Sequence, residues 1–211
     1  KELRNHVIIC GYGRVGSKAL ETLFEHNTKC LVIEKDDEII EHFRSQTKIN
    51  CIKGDATQDE LLLKCGIDNA KALITTLPSD SDNLFVVLTA KELNPNLKII
   101  ARASKGTSVK KLKIAGANNV IMPDSLGGSH MAQLVATPEV LEFIDEISIE
   151  GENQVNMESI DFSDIPSDFQ YKKIEDLKKK FPVCNIIGFK NPDGNFIINP
   201  NDNIEIVPNC K

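Results

Sequence analysis

The chain has 211 residues, 41% of them hydrophobic, and carries 25 Lys and Arg against 31 Asp and Glu for a formal net charge of −6. Such a composition excludes a disordered chain and suffices for one sizeable core plus a smaller one; no run approaches the roughly 18 uninterrupted apolar residues of a membrane helix, and the opening KELRNHVIIC does not read as a signal peptide. The acidic excess lies wholly in the last third, since residues 1–140 hold 18 basic and 17 acidic side chains and residues 141–211 hold 7 and 14, so neither part has the basic field of a nucleic-acid binder.

In chain order, residues 6–10, 30–34, 49–53, 71–75, 98–102 and 119–122 are short runs rich in Val, Ile, Leu and Cys, separated by helix-like segments. Near-continuous apolar strands alternating with helices predict an α/β fold, a Rossmann-like doubly wound parallel sheet covered on both faces. Asp37 is placed to open a helix over 38–45, Asp59 to start one over 59–65 that Gly66 ends, and Asp80 to start one over 81–93 that Asn94 and Pro95 stop. Beyond 123, DSLGGSHMAQLVATPEVLEFIDEI predicts a long helical stretch interrupted at Pro138, with Met131, Leu134, Val135, Leu141 and Ile144 near one stripe. The expected boundary falls near 140, dividing a domain of residues 1–140 from a second, smaller α+β domain of residues 141–211. There, strands are expected at 155–160, 183–190, 195–198 and 203–207, with NPDGN as a hairpin turn and KKIEDLKKK as a helix. Cys10, Cys30, Cys51, Cys65, Cys184 and Cys210 form no C-x-x-C pair, which reads as a reducing cytosol without disulfides or zinc.

The stretch GYGRVG, residues 11–16, follows a predicted strand and opens a predicted helix, and Glu34 ends the next strand 23 residues after Gly11. Glycine suits a tight turn at Gly11, close approach of a phosphate at Gly13, and helix packing at Gly16, with Tyr12 and Val15 between them. Glu34 can accept hydrogen bonds from ribose hydroxyls and would repel a 2′-phosphate, an effect that the adjacent Lys35 weakens. GDAT at 54–57 and TTLPSD at 75–80 fall at the carboxyl ends of the third and fourth strands. They place Asp55 near an adenine and put Thr75, Thr76 and Leu77 along the cleft. Arg14 and Arg102 are the cations placed to meet phosphate.

Machinery for chemistry is not legible. The two tyrosines, Tyr12 and Tyr171, are followed four residues later by Gly16 and Glu175, not by lysine, and His6, His26, His42 and His130 are scattered. The acids of DFSDIPSD at 161–168 read as a solvated loop with no metal-ligand spacing. An NAD-dependent oxidoreductase would need a proton relay that the second domain does not supply.

The blocks HVIICGYGRVG, GDATQDELLLKCGIDNAKALITTLPSDSDNLFVVLTAKELNPNLKIIARAS, LKIAGANNVIMPDSLGGSHMAQLV and NIIGFKNPDGNFIINPNDNIEIVPN resemble, in this order, the RCK (KTN or TrkA-type) regulatory domain of potassium channels and transporters. The resemblance implies a Rossmann-like N-lobe with a crossover helix and most of a C-lobe, and a nucleotide that acts as a signal without being turned over. It implies that Gly11, Gly13, Arg14, Val15, Glu34, Asp55, Ala56, Thr75, Thr76 and Arg102 fall on nucleotide-contact positions, and that Arg14 reaches phosphate near a dimer interface. The ligand stays open among NAD, NADH, ATP, ADP and AMP. Implied partners are a membrane pore upstream in the same chain and a homodimer that assembles into an octameric ring; the alternative is the regulatory subunit of a potassium transporter. Calcium-gated relatives carry a glutamate where this chain has Arg102, which speaks against a calcium site there. The start before the first strand without methionine and the stop at VPNCK are expected of a cytosolic fragment of a longer membrane protein.

Overall fold

The computed structural model describes residues 3–46, 50–147, 159–181 and 185–211. The chain divides into two compact units, residues 1–136 and 137–211.

In the first unit the elements run β1 (Val7–Cys10), α1 (Arg14–Glu25), β2 (Cys30–Glu34), α2 (Asp37–Gln46), β3 (Asn50–Lys53), α3 (Asp59–Lys64), a 3-10 turn (Ile67–Asn69), β4 (Ala72–Thr75), α4 (Asp80–Leu93), β5 (Lys98–Arg102), α5 (Gly106–Ile114), β6 (Asn119–Ile121) and α6 (Pro123–Ala136). The strands form one sheet in the order β3-β2-β1-β4-β5-β6, parallel throughout. Period-two alternation sorts β1 between two cores. Ile8 and Cys10 face a cluster that includes Leu62, Val86, Val87, Ala90 and Leu112 from α3, α4 and α5, while Val7 and Ile9 face Leu20 and Phe43 from α1 and α2. Because both faces are covered, β1 and β2 are buried along their whole length, which is why they read as unbroken apolar runs.

Chain order reverses at β1, which pairs with β2 on one side and with β4 on the other. The carboxyl ends of β1 and β4 therefore diverge into loops that leave a crevice between them. Two caps differ from expectation. Asp36, not Asp37, caps α2, its Oδ1 accepting the N–H groups of Glu38 and Ile39. Ser79, not Asp80, caps α4 by accepting the Asp82 N–H. Asp80 instead accepts the N–H groups of Ser104 and Lys105, tying the loop after β5 to the start of α4. Burial raises its pKa, but the hydroxyls of Ser108 and Ser104 and these two N–H groups outweigh it and hold the carboxyl below its ordinary value.

The second unit contains α7 (Pro138–Ile147), a 3-10 turn (Phe162–Asp164), α8 (Ile174–Lys180), β7 (Gly188–Lys190) and β8 (Phe196–Ile198). Ile174, Phe189, Ile206 and Cys210 form its core, and β7 pairs antiparallel with β8 across a turn where Gly194 takes φ +86°. The strand expected over 155–160 lies outside the described residues except at its last two, which are not in a strand. The strand expected over 183–190 is reduced to 188–190 among the described residues. The one expected over 203–207 is a single bridge, Lys173 to Glu205. The Asn201 side chain turns the chain at Asn203, and Pro208 lacks the N–H that would extend the ladder.

The predicted helical stretch after 123 is two helices with Thr137 between them, each beginning at a proline, where the missing N–H has no helical acceptor to lose. In α6, Met131, Leu134 and Val135 are exposed, and in α7, Leu141 is buried and Ile144 exposed.

One glycine carries the seat of α1. A Cβ at position 16 would overlap the Gly11 carbonyl oxygen and lie 2.8 Å from Thr76 Oγ1. Gly16→Ala is expected to lower stability by at least about 2 kcal/mol, read from urea unfolding; an unchanged midpoint would show that α1 is free to lift off the loop.

Candidate functional site

A cleft of about 1300 Å³ opens at the carboxyl ends of β1, β2 and β4, and everything that lines it lies in the first unit. Its floor is the Gly11 to Gly13 loop. Gly11 takes φ +94°, a conformation that side-chain-bearing residues rarely adopt, and its N–H donates to the Ile33 carbonyl, linking the loop to β2. Thr76 Oγ1 lies 3.2 Å from the Cys10 carbonyl oxygen and 3.0 Å from that of Gly11, which holds the loop from the β4 side. Gly13 is the N-cap of α1 and has no side chain to cap it; nothing lies within 4 Å of where its Cβ would be. The first turn of α1 holds no acidic residue, so its N–H groups meet the cleft uncompensated. An anion is the chemical complement of that arrangement.

Glu34 stands at the end of β2, 9% exposed. Its Oε2 accepts the Tyr12 N–H at 2.6 Å, and its Oε1 accepts those of Lys35 at 2.8 Å and Asp36 at 3.0 Å. Three of the roughly four acceptor positions of a carboxylate are thus filled by the backbone. The acid is a fixed part of the loop that keeps about one acceptor position for a hydroxyl donor. Asp55, exposed on the same rim, accepts the Thr57 N–H at 3.0 Å and the Thr57 hydroxyl at 2.8 Å. Those two bonds, with a smaller contribution from Lys35, hold its carboxyl below its ordinary value.

Of the residues expected here, Gly11, Gly13, Arg14, Val15, Glu34, Lys35, Asp55, Ala56, Thr76, Leu77 and Arg102 line the cleft, and Tyr12, Gly16 and Thr75 do not. The Tyr12 ring packs edge-on against Phe43 at 4.7 Å, so this residue serves the site through its backbone N–H. Gly16 lies beneath the loop as the contact that seats α1. Thr75 is fully buried, its hydroxyl donating to Asn83 Oδ1 at 2.6 Å. Being the last residue of β4, it points into the sheet's interior one position before the chain turns out to the rim.

The residue that sequence reasoning gave no role is Asn83. It is fully buried in α4 on the stripe of Val86, Val87 and Ala90, where a polar side chain is out of place unless paired. Oδ1 accepts from the Thr75 hydroxyl and the Leu77 N–H, and Nδ2 donates to the carbonyls of Leu77 and Arg102. One amide thereby fixes the loop after β4 and the end of β5. The legible signal was the interruption of an apolar helical stripe by asparagine.

The cations differ in environment. Arg14 is exposed on the cleft wall, and among the described residues it has no ion-pair partner. Arg102 is 22% exposed; its Nη2 lies 3.9 Å from Asp124 Oδ2 and its Nε is buried without a protein partner. A buried N–H left without any acceptor costs about 1–3 kcal/mol, so this position calls for an acceptor from outside the protein's own side chains. Among the described residues, no group of three or more His, Cys, Asp or Glu could hold a metal, and no helix is long and apolar enough to cross a membrane.

Comparison with known proteins adds four findings. The family model described as the TrkA-N domain matches residues 7–123. The sequence is 39% identical to the probable potassium channel protein 2 of Methanocaldococcus jannaschii over an alignment covering 96% of this chain and 63% of that protein. This chain therefore spans less than two thirds of that relative's length. Among solved structures, the fold is similar to the TrkA-N domain of the inner membrane protein YbaL from Escherichia coli, with a TM-score of 0.60 and 30% identity over 64% of this chain and 98% of that one. It is also similar to GsuK bound to ADP, with a TM-score of 0.56 and 29% identity over 64% of this chain and 35% of that one.

Replacing Asn83 by leucine would strand the Thr75 hydroxyl, the Leu77 N–H and the carbonyls of Leu77 and Arg102. Asn83→Leu is expected to lose about 3 kcal/mol or more in denaturant unfolding; a loss below about 1 kcal/mol would show that the loop holds its shape without this residue.

Proposed function

The chain belongs to the TrkA-N domain family, and from that premise we propose that it is a regulatory domain of a potassium channel, binding an adenine nucleotide as a signal. The observation that carries this reading is the continuity of the cleft from the uncapped start of α1, suited to phosphate, to Glu34, suited to a ribose hydroxyl, and on to Asp55 and Ala56. Two comparisons support it: the channel relative aligned along nearly the whole chain and the neighbour that holds ADP.

The polar groups of the cleft favour holding a ligand over transforming it. Backbone N–H groups occupy three acceptor positions of Glu34, and the Thr57 N–H and hydroxyl hold the Asp55 carboxyl below its ordinary value, which makes Asp55 a poor proton shuttle. The arginines supply fixed positive charge and no general acid. A ligand held in this way acts by linkage. If one conformation of the channel binds it better than another, the open and closed populations shift by that difference in affinity and by no more.

In this reading the domain works on the cytosolic side of the membrane in more than one copy. The exposed Leu126, Met131, Leu134 and Val135 of α6 are the surface on which a second copy would dock, and the paired domains would build the ring beneath the pore.

An adenine nucleotide is expected to raise the thermal midpoint, with a gain of about 2.7 kcal/mol at a hundred times its dissociation constant. Gly13→Asp should abolish that shift, because it sets a negative charge in the open space at the start of α1. A folded Gly13→Asp protein that still responds would mean the phosphate lies elsewhere.

Signal and binding should also come apart at Arg14. In the full-length channel, Arg14→Ala is expected to retain binding through the glycine loop and Glu34 while losing nucleotide control of open probability in excised patches. Channels that respond like the parent would show that Arg14 is a bystander.

A further inference from the structure

We infer that Arg102 and Asp124 form an autoinhibitory contact inside the cleft, one that an anionic ligand must open, and that its opening frees the first turn of α6. The inference rests on the nucleotide reading above and concerns how that same site is regulated.

Arg102 is the last residue of β5, Asp124 the second of α6, and both line the cleft. Their separation of 3.9 Å is the outer limit of an ion pair, and Asp124 is 83% exposed, so the attraction is weak and screened. An arginine with a well-placed carboxylate takes it in a two-pronged grip at shorter range. This guanidinium does not: one nitrogen reaches toward a distant acid while Nε is buried without a protein partner.

The backbone beneath it cannot move to improve matters, because Asn83 Nδ2 holds the Arg102 carbonyl at 3.1 Å. Only the side chain can adjust. A phosphate at the start of α1 would present several oxygens and more charge than a single carboxylate. Nε is buried, so the guanidinium can offer it to that phosphate only by turning, and the turn draws Nη2 away from Asp124. One rotation thus gives Nε an acceptor and releases Asp124.

On the other side of the contact, α6 buries none of its 14 residues. Pro123 gives its first turn no N–H to place, and the Leu126 N–H donates to the Met122 carbonyl. Among the described residues, the weak tie from Asp124 to Arg102 is the ion pair that the first turn of α6 makes with the rest of the unit. The helix is the last element of the first unit, and the chain passes through it into the second. Adenosine, which carries no phosphate, should leave the contact closed.

The test is calorimetry with ADP and with adenosine on four proteins: the parent, Asp124→Asn, Arg102→Gln and the double variant. Asp124→Asn is expected to tighten ADP binding about threefold, to leave adenosine binding unchanged, and to have no effect on ADP in the Arg102→Gln background. Hydrogen exchange at the Leu126 amide, which donates to the Met122 carbonyl, supplies the structural readout: ADP should speed it in the parent, and in Asp124→Asn it should already be fast and ignore ADP. Equal tightening in both backgrounds, or exchange in α6 that ADP does not change, would overturn the contact while leaving the nucleotide site intact. Failure of ADP to bind the parent at all would overturn the nucleotide reading and this inference with it.

Discussion

The site depends on the direct contact of α1 with the loop that follows β1. Gly16 brings the helix against the Gly11 carbonyl, and Gly11 turns the chain at φ +94°, where a Cβ would be strained and would press to 3.3 Å on Leu77 and Thr76. The closeness is what aims the start of α1 into the crevice between β1 and β4. Without it the N–H groups of the first helical turn would face open water, where they offer an anion far less than they do in a partly enclosed cleft. Gly13 has a different reason to be glycine: its φ of −71° is ordinary and its surroundings are empty. In the proposed reading, a phosphate would occupy that space.

Two side chains then make the cleft rigid by giving up their own freedom to the backbone. Glu34 gathers three N–H groups from the loop and from the start of the segment after β2, and Asn83 gathers two donors and two acceptors from β4, β5 and the loop between Thr75 and α4. A carboxylate and an amide are used here as internal struts. In the proposed role, Arg14 and Arg102, which are less constrained, are the charged groups whose positions a ligand would change. That division between fixed and movable groups is what a sensing site needs, since a ligand shifts an equilibrium only through groups that differ between states.

The parallel sheet was legible because its strands are buried on both faces and so stand out as apolar runs, and the glycine loop with Glu34 was legible because glycine spacing records a steric requirement directly. What escaped was the use of individual polar groups. Asp37 and Asp80 are good capping residues by type, yet neighbouring Asp36 and Ser79 hold those positions, and nothing local distinguishes adjacent acids and hydroxyls. Thr75 and Thr76 are identical in sequence terms. The pleat of β4 sends the first inward to Asn83, and the turn after it brings the second to the cleft. Asn83 required the recognition that an asparagine on a buried stripe must be serving neighbours whose identity only the fold supplies. In the second unit, short strands were overestimated because an apolar alternation over five residues does not say whether a partner strand is long enough to match it.

The central claim is that a nucleotide lies with its phosphates on the first turn of α1 and its ribose on Glu34. The most direct measurement is a titration of the nitrogen-15-labelled protein with ADP, followed amide by amide. The account predicts the largest shifts at Gly13, Arg14 and Val15, with a second group at Lys35, Asp36 and Ala56. Saturable shifts that leave those amides unmoved and gather elsewhere, in the second unit for example, would contradict it.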